Sequence, residues 1–300
     1  MKNLARSPEQ TSRLQGYIMV IAAATLFGVN GSLSRSLLDA GISPVTLVEF
    51  RMLFGWLILC TLLLISRQIG GLRLVLLYWK RVVLYGISLA LVTFCYFLAI
   101  SRLPIAITLV IQFSASAWMV IGESVWRRKL PSLVMLIAIL LTLSGVTLVT
   151  DVWRVQLGGL DGLGLLYAFF ALLTYLAFLL IGRYVGKHVP ALQSTTWGAF
   201  VASIFWLVVQ PPWTVPTATW RAGHVFLIAL VGVIGMAIPF ALIQNALRRI
   251  DATRVGIAAM FELVAGGIVA YFWLGQYLNI GQIIGCALVL IGIAILQYEQ

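Results

Sequence analysis

The sequence predicts an all-α integral membrane protein of ten transmembrane helices, arranged as two inverted five-helix repeats with both termini in the cytoplasm. Three observations carry that expectation. Hydrophobic residues make up 62% of the 300 and charged residues only 10%, against about 25% charged in soluble domains; the mean hydropathy is +1.05. Apolar stretches of about 20 residues recur along the chain, the length a helix needs to cross a hydrocarbon core. Lys and Arg are dense in every second interval between those stretches and sparse in the others, the bias that sets orientation.

The first repeat occupies residues 14–150. Its first span, Leu14–Ser34, follows a tail of residues 1–13 that carries Lys2, Arg6 and Arg13. A charged tail before an apolar run imitates a secretory signal, but the run exceeds the roughly 7–15 residues of a signal core and more spans follow, so it is expected to stay as the first helix. Val45–Ser66, interrupted by Glu49 and Arg51, is span two; Val82–Ser101, Leu103–Gly122 and Leu130–Thr150 are spans three to five. The second repeat, residues 160–297, supplies Gly162–Gly182, Ala191–Gln210, Val225–Leu247, Val255–Trp273 with Glu262 inside it, and Ile280–Gln297.

With the N-terminus inside, 15 of the twenty basic residues fall on the inner side, four (Arg35, Arg102, Arg154, Arg221) on the outer, and Arg51 within a span. An offset of 147 residues carries Ala99 onto Ala246, Trp126 onto Trp273 and Gly145 onto Gly292. Five spans per repeat force the second copy upside down, so equivalent loops should carry opposite charge bias. Arg127, Arg128 and Lys129 follow span four, whereas no charge follows span nine; Arg102 alone follows span three, whereas Arg248, Arg249 and Arg254 surround the loop after span eight.

Several classes of function are excluded. Nine acidic and twenty basic residues cannot cover a globule of this length in charge, and the net charge of +11 is dispersed between apolar spans instead of gathered on a nucleic-acid-binding face. Cys60, Cys95 and Cys286 are odd in number, lie inside spans and have no C-x-x-C spacing, which indicates neither a disulfide framework nor a metal site. H-E-x-x-H, G-x-S-x-G, the phosphate-binding P-loop pattern and paired intramembrane aspartates are all missing from the sequence, which leaves a membrane enzyme without a nucleophile, base or ligand set. A channel or a structural membrane subunit remains as a rival reading.

The segments "AATLFGVNGSLSRSLLDAGISPVTLVEFRMLFG", "LYGISLALVTFCYFLAISRLPIAITLVIQF" and "AIPFALIQNALRRIDATRVGIAAMFELVAGGIVAYFWLGQYLNIGQIIGCALVLIGIAIL" resemble the EamA-type ten-helix branch of the drug/metabolite transporter superfamily, and within it most closely the bacterial threonine/homoserine exporters. The resemblance implies a proton-linked or exchange-type exporter of small metabolites in the bacterial inner membrane, with a cavity lined by both repeats. Where the family commonly ends spans four and nine with Gly-Glu, this chain has Arg128-Lys129 and Gly275-Gln276; the Glu-Pro pair common in span nine is Glu262-Leu263, matched in span four by Ala115.

An intramembrane charge is a functional candidate because its desolvation is costly. Glu262 lies eight residues after Arg254, about 12 Å up its span. It is read either as a coupling or substrate-binding carboxylate or as a packing residue bonded to Gln244 or Asn245. Glu123 and Arg127 share one helix face at a spacing of four and read as an ion pair. Glu49 and Arg51 point to different faces and read as pathway lining or interface anchors. Asn30, Tyr96, Gln112, Tyr175, Gln244 and Asn245 lie at similar predicted depth and are expected to turn inward, toward a cavity or a neighbouring helix, with Gln112, Asn245 and Glu262 expected to share one cavity. The Gly235–Pro239 stretch could break span eight, although glycines of this kind also occur in static bundles. The expected partners are a small-molecule substrate and the bilayer, without nucleic acid; a homodimer stays open, and no cofactor is expected beyond proton coupling. Amino acids lead as substrate, with lipophilic cations as the alternative.

Overall fold

The computed structural model describes residues 8–155, 160–215, 219, 221–275 and 277–298, and among these the chain is helical throughout its length, without a strand. Among the described residues nine helices are long and apolar enough to cross a membrane, and Leu133–Val149, shorter at 17 residues, supplies span five. The Tyr17 hydroxyl donates to the Leu296 carbonyl at 3.2 Å, so the start of span one and the end of span ten share one end of the bundle. That end is called here the termini end, and the opposite one the far end.

Span one is the helix Pro8–Asp39. It begins six residues before the expected Leu14, because Pro8 suits a first helical turn and Glu9 pairs with Arg13 one turn on at 2.9 Å. It ends where Gly41 takes φ +90. There the Gly41 N–H donates to Leu38 O at 2.9 Å and that of Ile42 to Leu37 O at 3.1 Å, closing the last turn. Ser43 then caps span two, Pro44–Ile65, by accepting from the Thr46 N–H. The linker beyond adds a short helix, Leu72–Leu77, that hydropathy did not predict. Spans three, Trp79–Ile100, six, Gly162–His188, seven, Ala191–Val209, and ten, Ile280–Tyr298, are uninterrupted helices.

Spans four and nine are each broken. Span four divides at Ser114 into Ile105–Phe113 and Ala115–Arg127, and span nine divides at Met260 into Ala252–Ala259 and Phe261–Leu274. The two breaks fall at equivalent places of the two repeats, within one residue of the 147 offset. The Ser114 hydroxyl donates back to Ile111 O at 2.6 Å, a local bond that competes with the regular helix ladder. Span eight does not open at Gly235–Pro239. It passes from Ala222–Gly232 through a π-turn, Val233–Ala237, into Ile238–Leu247, since a wider turn accommodates the hydrogen bond that Pro239 cannot make.

The packing repeats about a two-fold axis. Span three lies against span six as span one lies against span eight, span two lies against span eight as span seven lies against span three, and the pairs two–seven and five–ten cross the axis. At the five–ten seam, a Cβ on Gly145 would meet Gly285 O at 2.6 Å and a Val289 methyl at 2.7 Å, while one on Gly292 would meet Thr142 Cγ2 at 2.7 Å and Ala138 O at 2.9 Å. The offset carries Ala138 onto Gly285 and Thr142 onto Val289, so the seam is made of the same contact twice. Small residues allow this approach where no hydrophobic force drives helices together. Large apolar side chains on the perimeter, such as Leu64, Leu140 and Phe226, are exposed, as a lipid-facing surface requires.

Candidate functional site

Four of the candidate residues meet at mid-depth. Glu262, two residues past the break in span nine, lies within electrostatic reach of Arg51 in span two, Tyr96 in span three and Tyr175 in span six. All four side chains are half-buried, with protein around most of each. Arg51 and Glu262 share no hydrogen bond or ion pair among the described residues, and Arg51 Nε is buried without a partner. Unlike charges are thus held across a gap. Gln112, half-buried, stands two residues before the break in span four.

Below this group, toward the termini end, the bundle is closed. Gly256 in span nine packs against Ser116 and Met119 of span four and Leu179 of span six, and Leu179, Leu247, Ile257 and Met260 are all buried. Arg183 clamps the same end. It donates to the carbonyls of Leu247, at 2.5 Å, and Ile250, and to the Asp251 carboxylate at 2.8 Å, tying span six to the turn between spans eight and nine. Sequence reasoning counted Arg183 only as an orientation charge. Its place five residues before the end of a helix, where a cation reaches exposed carbonyls of a neighbour, was the available signal.

The other candidates lie elsewhere. Asn30 is 7% exposed and fills the place where a Cβ on Gly235 would meet its Oδ1 at 2.2 Å, packing span one on the π-turn. Gln244 is fully buried and donates to Gly182 O at 2.9 Å, joining spans eight and six. Asn245 donates to Ala241 O at 3.0 Å and accepts from Arg249, toward the termini end. Glu262 bonds to neither amide. Glu49 is 1% exposed with both oxygens lacking a partner, one turn from Thr46, which accepts from Gln210 at 2.8 Å. Glu123 borders a cavity of about 230 Å³ with Lys129 and Ser132; the side chain of Arg127, and all of Lys2, Arg6 and Gln276, lie outside the described residues. At the far end, Arg102 and Asp161 pair at 2.9 Å. The guanidinium, helped by the Leu163 N–H, holds the Asp161 carboxyl below the usual carboxylate range.

Ten membrane helices in two inverted repeats, with breaks at equivalent positions and a charged and aromatic group held between the repeats, define a membrane transport protein. The chain belongs to the EamA-like transporter family, whose profile matches residues 14–151 and 162–298, within the drug/metabolite transporter superfamily. It is similar to an uncharacterized transporter of Archaeoglobus fulgidus, 35% identical over 69 residues that cover 23% of this chain and 26% of that protein. It is also similar to the uncharacterized transporter YcbK of Bacillus subtilis, 24% identical over 58% of this chain and 57% of that one. The aligned regions thus span well under two thirds of either relative. A solved crystal structure shares the fold with a TM-score of 0.78 at 16% identity, over 94% of this chain and 96% of that one.

Proposed function

We propose that this transporter moves a small zwitterionic metabolite of the amino-acid class, outward across a bacterial inner membrane, by alternating access around the Arg51–Glu262 group. The observation that carries the reading is the unbonded pair of unlike charges at mid-depth. A free amino acid presents a carboxylate to the guanidinium and an ammonium to the carboxylate, and Tyr96 and Tyr175 supply hydroxyls and ring faces beside them. A lipophilic cation would meet Arg51 as a like charge, which disfavours the alternative substrate class. The breaks at Ser114 and Met260 lie in spans four and nine at the depth where carriers bind substrate.

The charge count supports a cytoplasmic termini end, and on that reading the closure by Arg183 and by the layer of Leu179, Leu247, Ile257 and Met260 belongs to a state shut toward the cytoplasm. In that cycle Glu262 is also the group that exchanges a proton for the substrate ammonium. Counterflow in proteoliposomes tests the substrate class: saturable exchange of radiolabelled neutral amino acids, with no competition from tetraphenylphosphonium, is expected. Saturable exchange of the lipophilic cation alone would overturn the reading.

A further inference from the structure

Charge outside the central group concentrates at the termini end. A cavity of about 190 Å³ there is lined by Glu9 and Arg13 of span one, Arg183 of span six, and Arg249, Asp251 and Arg254 around the turn between spans eight and nine. Four guanidiniums and two carboxylates contribute to this lining. Both carboxylates are engaged, Glu9 with Arg13 at 2.9 Å and Asp251 with Arg183 at 2.8 Å. Arg249 is held by oxygens of its own helix, the Asn245 carbonyl at 2.9 Å and side chain at 3.4 Å, and meets no carboxylate among the described residues.

The duplication shows what is different here. The 147 offset carries Arg102 onto Arg249 and Leu14 onto Asp161. At the far end Arg102 is answered by Asp161 at 2.9 Å, which joins the end of span three to the start of span six. At the termini end the carboxylate's place is taken by Leu14, and the arginine-lined cavity lies between the same two segments. We propose that an anion of the phosphate class occupies this cavity and supplies the negative charge that Asp161 supplies at the other end, joining span one to the eight–nine turn. The planar guanidinium fork matches phosphate oxygens two at a time, and basic pockets between membrane helices take phosphate headgroups. The site is independent of the transported substrate and sits on segments that must separate if this end opens, so its occupant favours the closed termini end.

Thermal unfolding of the detergent-purified full-length protein tests this, with inorganic phosphate, with phosphatidylglycerol, and with phosphatidylcholine as the reference at matched ionic strength. At least one phosphate species is expected to raise the midpoint by several degrees over the reference. A rise with phosphatidylglycerol alone identifies a lipid headgroup; a rise with inorganic phosphate as well identifies a site for the free anion. The Arg13→Gln/Arg249→Gln double variant should lose the rise, its apparent affinity falling roughly tenfold or more, while Arg73→Gln, outside the cavity, should keep it. Leu14→Asp, which adds the missing carboxylate without removing an arginine, should lose the response too and keeps the test available if the double variant does not purify. No rise with either phosphate species, or an equal rise in these cavity variants, overturns the proposal.

Discussion

Spans five and ten meet through one contact made twice, Gly145 against Gly285 and Val289, then Gly292 against Ala138 and Thr142. The central group is built the other way. Moving Arg51, Tyr96, Tyr175 and Glu262 by the repeat offset lands on Gly198, Ile243, Gly28 and Ala115, none of which can ionise. Each counterpart is also closed by packing. A Cβ on Gly198 would meet the Tyr85 ring at 2.6 Å and one on Gly28 the Gly266 nitrogen at 2.6 Å, while Ala115 and Ile243 are buried. The scaffold is therefore encoded twice and the site once. Symmetry supplies the two breaks, and one copy of each site residue sets unlike charges from different repeats beside them.

The largest effects should follow from neutralising that single copy. Arg51→Gln is expected to lower substrate affinity about a hundredfold, as loss of one partner of a desolvated charge contact does, without lowering the yield of folded protein. Glu262→Gln should abolish accumulation driven by a pH gradient and retain substrate counterflow, since that half-cycle moves no proton. Both assays run in the same liposomes. Wild-type accumulation by Glu262→Gln would make the carboxylate structural and end its role in coupling.

A second experiment moves the charge to the symmetric position. Ala115 is fully buried beside the break in span four, so Ala115→Glu buries a carboxylate with no cation of its own, at a cost of about 3 kcal/mol by insertion measurements. Its folded yield in detergent should fall sharply, and the Glu262→Gln/Ala115→Glu double variant should not recover pH-driven accumulation. Recovery would mean that the two equivalent positions are interchangeable. The seam is tested by Gly145→Leu, which must push spans five and ten apart because even a Cβ there would meet Gly285 O at 2.6 Å. Destabilisation by about 1–3 kcal/mol is expected, the usual cost of overpacking, read as a lower unfolding midpoint with substrate affinity in the surviving protein unchanged.

The same contrast explains what could be read from sequence. Spans are long apolar runs and the repeats are inverted, so hydropathy and loop charge reached both, down to the equivalence of Gly145 and Gly292. The breaks at Ser114 and Met260 were not legible, because neither Pro nor Gly marks them and Ser114 acts through a local bond to Ile111 O. In span eight the Gly235–Pro239 stretch could break the helix, yet a π-turn absorbs it. Glu262 and Arg51 stood out as intramembrane charges, but that they face each other depends on how spans two and nine are rotated. Composition does not specify rotation. The same reason places Asn30 and Gln244 in helix–helix contacts and Asn245 beside Arg249, although their predicted depth matched that of Glu262.

The smallest test lies where the two repeats carry the same backbone shape with different residues. The second half of span four and the second half of span nine both end in the left-handed conformation, Arg128 with φ 50 and Gly275 with φ 64, and the offset carries one onto the other. Glycine adopts that conformation freely, whereas a residue with a Cβ is disfavoured there by about 1–2 kcal/mol. The first repeat thus accepts strain that the second avoids, and an added positive charge at the termini end goes with it. Arg128→Gly should relieve the strain, partly offset by glycine's greater freedom in the unfolded chain, and raise stability by about 1 kcal/mol or less with transport unchanged. Gly275→Arg should lower it by a similar amount. If Arg128→Gly is neutral or destabilising in thermal unfolding, the Arg128 side chain contributes more through its contacts than its backbone costs, and the two helix ends are equivalent in shape only.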